Sequence, residues 1–147
     1  MKKDVIISIR GTQTDEEGQS EVMEFMTQGS LTGSREDGFR LTYQESELTG
    51  LDGTTTTFQI EKDRITMLRT GNLNSEMVFE EGKRHLSLYE TPLGGMMIGV
   101  NTKYAKMDMG QNGGNLAVRY SVEIDNTLIG ENFFEIEVRN PGTQPPT

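Results

Sequence analysis

The sequence predicts an all-β fold, a closed antiparallel up-and-down β-barrel of roughly 8–10 strands with a two-sheet sandwich as the alternative arrangement. Apolar and polar residues alternate with period two along most of the chain, which marks strands with one buried face. The runs are separated by short Gly- and Asn-rich turns that leave no room for the crossovers parallel strands require. No window of about 12 residues carries a helical period. An open sheet of that many strands would leave bare edges, and closure removes them.

The first run, residues 5–10, is β-branched, much shorter than a signal-peptide core and interrupted by Arg10, so it reads as a strand. Further runs follow at 21–28, 39–44, 54–61, 64–70, 76–81, 85–90, 96–101 and 103–109. In the third, Phe39, Leu41 and Tyr43 share one face and Arg40, Thr42 and Gln44 the other. Residues 116–125 alternate most clearly, with Leu116, Val118, Tyr120, Val122 and Ile124 on the apolar face. Phe134, Ile136 and Val138 repeat the pattern. Asn112-Gly113-Gly114 is the strongest hairpin signal, since Gly and Asn accept the positive φ of tight turns. A single helical turn is expected near 126–132. Residues 1–140 read as one domain and 141–147, rich in proline, as a flexible C-terminal tail.

Length and charge narrow the function classes. A chain of 147 residues holds one domain with one core. Lys and Arg number 14 against 23 Asp and Glu, a net charge of -9, so nucleic acid and anionic membrane surfaces are disfavoured partners. With no cysteine there is no disulfide, thiolate metal site or thiol nucleophile. No apolar run approaches the ~20 residues of a membrane span, and a cytoplasmic protein is expected.

Two stretches, Tyr43-Gln44-Glu45-Ser46-Glu47-Leu48-Thr49-Gly50-Leu51-Asp52-Gly53-Thr54-Thr55-Thr56 and Tyr89-Glu90-Thr91-Pro92-Leu93-Gly94, resemble the YwiB-like family of small bacterial proteins. The opening Val5-Ile6-Ile7-Ser8-Ile9-Arg10-Gly11-Thr12 and the Asn112-Gly113-Gly114 hairpin are similar to it as well, so the resemblance runs from about residue 3 to residue 139. It implies a calycin-like (lipocalin-like) barrel and, the family being a domain of unknown function, no activity, cofactor or catalytic residue.

Several groups could carry chemistry. Alternation beyond Tyr43 would bring Glu45 and Glu47 to one face, about 7 Å apart, where a carboxylate pair could bind a ligand or exchange protons. The competing reading is that the strand leaves the core near Tyr43 and both carboxylates are solvated. His85 could serve as an axial haem ligand, but Lys83 and Arg84 beside it favour a surface position. Glycines and threonines at 49–57 lack the Gly-Lys-Ser/Thr of a phosphate loop and read as a turn leading into a strand. A calcium loop beginning at Asp108 fails, because Gly110 and Arg119 stand where ligands belong. Met23, Met26, Met67, Met77, Met96, Met97, Met107 and Met109 fall in strands as core filler or as an adaptable ligand wall. Arg10, Arg69 and Arg119 could each point inward to a carboxylate or outward.

The reading that follows is a non-enzymatic protein that binds a small, partly apolar or amphipathic ligand without metal or cofactor. Phe39, Leu41, Tyr43, Val118, Tyr120, Val122, Phe134 and Ile136 are the expected lining, with Glu45 beside Tyr43 for polar recognition. The alternative is a structural or regulatory interaction module with a packed interior. An acid/base hydrolase or isomerase built on Glu45 and Glu47 ranks last, for want of a nucleophile or oxyanion site. Monomer and homodimer are both compatible with the sequence.

Overall fold

The structure, a computed structural model, describes residues 2–141; the tail expected at 141–147 lies, beyond Pro141, outside the described residues. Ten strands follow in chain order: β1 (Lys3–Asp15), β2 (Ser20–Ser34), β3 (Gly38–Gln44), β4 (Thr54–Ile60), β5 (Ile65–Gly71), β6 (Asn74–Phe79), β7 (Arg84–Thr91), β8 (Gly94–Gly110), β9 (Gly113–Ile124) and β10 (Thr127–Arg139). Each pairs with its sequence neighbour and β10 pairs with β1, giving a closed antiparallel up-and-down barrel rather than a sandwich. Among the described residues no helix is long and apolar enough to cross a membrane.

The period-two pattern translates directly into an inside and an outside. Val5, Ile7, Leu31, Leu41, Ile65, Val118 and Ile136 all point inward and are at most 2 % exposed. Two sequence expectations change. The runs at 96–101 and 103–109 form a single strand, β8, whose register with β9 shifts between Thr102 and Tyr104. A bulge adds one residue without ending the strand, so an interrupted alternation looked like two elements. The helical turn expected near 126–132 does not form. Asp125 and Asn126 both adopt positive φ, 51° and 64°, and make a two-residue hairpin after which β10 begins.

The Asn112-Gly113-Gly114 signal marks a hairpin, with Gly110 facing Gly113 across Gln111 and Asn112. Gly113 is needed for approach as well as for its φ of 119°, since a Cβ there would stand 2.2 Å from the Val138 carbonyl oxygen.

The strands that wall the barrel are unequal. β1, β2, β8, β9 and β10 have 12–17 residues, whereas β3 to β7 have 6–8. The weakest ladder is between β6 and β7, where only Asn74↔Glu90 and Ser75↔Tyr89 pair. Below that point the turn joining them leans on β8 instead. The Gly82 N–H donates to the Thr102 carbonyl (2.8 Å), the Thr102 N–H to the Lys83 carbonyl (3.1 Å), and the Ala105 N–H to Glu81 Oε1 (3.1 Å).

Candidate ligand-binding lumen

β3 delivers Phe39, Leu41 and Tyr43 to the interior, and the ladder extends one residue past the strand's end. The Glu45 N–H donates to the Thr54 carbonyl at 2.9 Å, so alternation carries the Glu45 side chain inward, where it is 1 % exposed. The chain then turns sharply. Ser46 caps a 3₁₀ turn at Glu47–Thr49 by accepting from the Leu48 N–H, and Glu47 is carried out to solvent. Neither expectation for this pair holds: the carboxylates are not a dyad, and only Glu47 is solvated.

Glu45 finds its partners on the next two strands. Tyr43 stands opposite Thr56 of β4, and Thr56 opposite Arg69 of β5. The Thr56 hydroxyl donates to Glu45 Oε2 at 2.5 Å, and Arg69 Nε donates to that hydroxyl oxygen at 3.3 Å. Arg69 Nη2 lies 3.7 Å from the same carboxylate oxygen, and about a fifth of its side chain is exposed. The other carboxylate oxygen, Oε1, is buried without a hydrogen-bond partner. Burying a polar atom in that state is costly unless something supplies a donor.

Tyr43, Glu45 and Arg69 border a lumenal cavity of about 410 Å³, with the buried Thr56 hydroxyl bonded to the latter two. Aromatic rings make up much of the rest. Tyr43 stacks on Phe58 with centroids 6.5 Å apart, Phe58 meets Phe134 at 5.7 Å, and Phe134 meets Tyr120 edge-on at 6.2 Å. Gln13, Glu21 and Met23 are exposed at the rim, and Thr49 and Leu51 border the cavity from the β3–β4 loop. The arrangement is an apolar, ring-lined space with one ion pair set into its side, suited to a small molecule with one polar end.

Burial holds the Tyr43 phenol well above its ordinary range, and the neighbouring Glu45 charge pushes the same way. Tyr120 is also raised by burial, against the opposing charge of Arg69. The folded barrel therefore keeps both protons where the unfolded chain, with phenols near 10, releases them. Stability contributed by this effect is complete below pH 10 and falls as pH rises above it. Unfolding measured between pH 8 and 11 is expected to show that alkaline loss, and Tyr43→Phe with Tyr120→Phe to show a shallower one; equal slopes would count against burial of the phenols.

Of the expected lining residues, Tyr43, Glu45, Tyr120, Phe134 and Ile136 border the cavity. Phe39, Leu41 and Val118 point inward but lie in the packed core, and Val122 is partly buried against it. Of the three arginines expected to point inward to a carboxylate or outward, Arg69 points inward, to Glu45, while Thr56 and Phe58 carry no site expectation from the sequence. Continuing the alternation Ile65, Met67, Arg69 along β5 is the signal that reaches the arginine. Arg10 pairs with Glu24 on the exterior, and Arg119 lies over the Phe133 ring at 4.7 Å. His85 Nε2 is 3.0 Å from Glu80 Oε1 and half-buried. The Glu80 carboxyl is held below the usual carboxylate range by its hydrogen bond to Lys83 and then by that to His85.

The methionines divide: Met67, Met77 and Met109 are buried, whereas Met23, Met26, Met96 and Met97 are exposed. Among the described residues no three His, Asp or Glu side chains are grouped to hold a metal ion. A larger space, about 1030 Å³, crosses β1, β2, β8, β9 and β10. Much of its border is the exposed outward face, with Arg10, Glu24, Met26, Glu135 and Glu137, so it is an open surface furrow rather than an enclosed site.

The sequence matches the family described as a domain of unknown function (DUF1934) over residues 7–136. Its fold is similar to the crystal structure of the ywiB protein from Bacillus subtilis, with a TM-score of 0.84 at 19% identity, covering 97% of this chain and 94% of that one. No curated protein matches the chain.

Proposed function

This chain belongs to the DUF1934 family, and from that premise we propose that it is a non-catalytic barrel that binds a small, partly apolar molecule in its lumen, in the manner of a calycin-like carrier or sensor. The observation that carries this reading is the ring-lined cavity of about 410 Å³ with Glu45, Thr56 and Arg69 at its side. A volume of that size is at the lower end of ordinary ligand pockets, roughly 300–1,000 Å³. Glu45 has no second inward carboxylate to exchange protons with, since Glu47 is carried out to solvent, and that supports binding rather than acid/base hydrolysis on the pair. The acidic composition, net -9, supports a soluble, cytoplasmic setting in which neither nucleic acid nor an anionic membrane is the partner.

Native mass spectrometry of freshly purified protein, beside the same sample denatured, tests the reading. A small-molecule mass lost on denaturation is the expected result. A bare protein mass that persists after incubation with metabolite extract would turn the weight to the second reading, an interaction module. That reading has its own support in an exposed apolar stripe on β7 and β8, where Leu88 pairs with Met97 beside Leu86.

A further inference from the structure

We infer that the lumenal ligand carries an uncharged polar head with a hydrogen-bond donor beside an acceptor, the edge of an amide, urea or lactam, on a flat apolar body. This rests on the lumenal-binding reading and adds to it the chemistry of the ligand. The key group is the unpartnered Glu45 Oε1, on a side chain that is 1 % exposed and borders the cavity. The Tyr43 hydroxyl, which also interacts with this carboxylate and with Arg69, leaves Oε1 without a hydrogen bond; as a carboxylate oxygen Oε1 can only accept, so what satisfies it must bring an N–H or O–H. Its neighbour Arg69 can only donate. The Nε of Arg69 is spent on Thr56, leaving guanidinium N–H groups on a partly exposed side chain that also borders the cavity. The wall thus offers one acceptor and adjacent donors.

Charge decides which head of that kind fits. Glu45 and Arg69 are 3.7 Å apart and already neutralise one another. A carboxylate head drawn to Arg69 would face Glu45 across that short distance, and an ammonium head drawn to Glu45 would face Arg69. In a space lined by rings, like charges brought together are poorly screened. A neutral head with N–H and C=O side by side answers both groups with no net charge buried. The body follows from the walls, since Tyr43 and Phe58 present stacked planes and Phe134 with Tyr120 an edge-to-face pair, surfaces that flat rings match best.

The test uses four compounds of one size and different head: benzamide, benzoate, benzylammonium and toluene. Their binding to the full chain at pH 7 is measured by saturation-transfer NMR, with affinities from titration. Benzamide is expected to bind at least about tenfold more tightly than each of the others, the gain of roughly one well-made hydrogen-bonded pair. In Glu45→Gln the lumen keeps Arg69 as an unopposed cation, and benzoate is expected to overtake benzamide. Equal affinities, or a preference for either ion in the native chain, would overturn the neutral-head inference while leaving lumenal binding intact. Failure of all four, toluene included, at millimolar concentration would overturn lumenal binding itself. The native-chain comparison stands without the variant, so poor folding of Glu45→Gln would not remove the test.

Discussion

Replacing Phe79 with alanine is expected to lower stability by about 3–5 kcal/mol, the usual cost of deleting a fully buried aromatic ring. Phe79 is 0 % exposed, and its ring lies 4.7 Å from that of Tyr120 and 5.6 Å from that of Phe134. It ends β6 at the barrel's weakest seam, where β6 and β7 share only two paired positions. Side-chain packing there does what a full hydrogen-bond ladder does elsewhere. For a chain of this length about 2–4 °C of melting temperature accompanies each kcal/mol, so a fall of roughly 10 °C is expected in a thermal melt. Leu86→Ala, at a side chain 63 % exposed, is the control and should change stability by less than about 0.5 kcal/mol. A loss below about 1 kcal/mol at Phe79 would mean that the ring chain is not packed as described. Because Tyr120 and Phe134 lean on Phe79 and themselves line the cavity, the variant is also expected to lose ligand affinity although Phe79 does not border the cavity.

The barrel was readable because its strands obey one simple rule. Residues 116–124 alternate with only Ala117 off the pattern, and their apolar members Leu116 and Val118 are buried in the structure. Where the rule met local exceptions the reading slipped. The bulge at Thr102/Tyr104 inserts one residue, reverses the parity of β8 and made one strand look like two. Asp125 and Asn126 form a turn through positive φ, a conformation in which Asp and Asn are enriched, but period-two alternation by itself does not carry that preference. The site was half legible. Tyr43 and Glu45 lie on the same strand face, so period two brings them in together. Arg69 lies two strands away, in register with Tyr43 through Thr56, and register between strands is set by the closed sheet, not by spacing along the chain. Glu47 failed for a third reason. Ser46 caps the 3₁₀ turn and ends the alternation one residue beyond Glu45, so parity no longer places the side chain.

Removing the cation from the lumen should cost nearly as much as removing the ring. Arg69→Met keeps most of the arginine's apolar stem but leaves the Glu45 carboxylate buried with neutral hydroxyls, Thr56 foremost, and no cation to support its charge. Breaking a buried pair from one side typically costs 3–5 kcal/mol, and the partial exposure of Arg69 puts the expected loss at about 3 kcal/mol. One further measurement separates this cause from lost packing, the double variant Arg69→Met with Glu45→Gln, in which no charge is left to strand. It is expected to regain at least half of the loss, a coupling of roughly 1.5 kcal/mol or more in a double-mutant cycle. Additive effects of the two substitutions would show that Arg69 acts through its stem alone and that the ion pair contributes nothing to holding the lumen's polar wall.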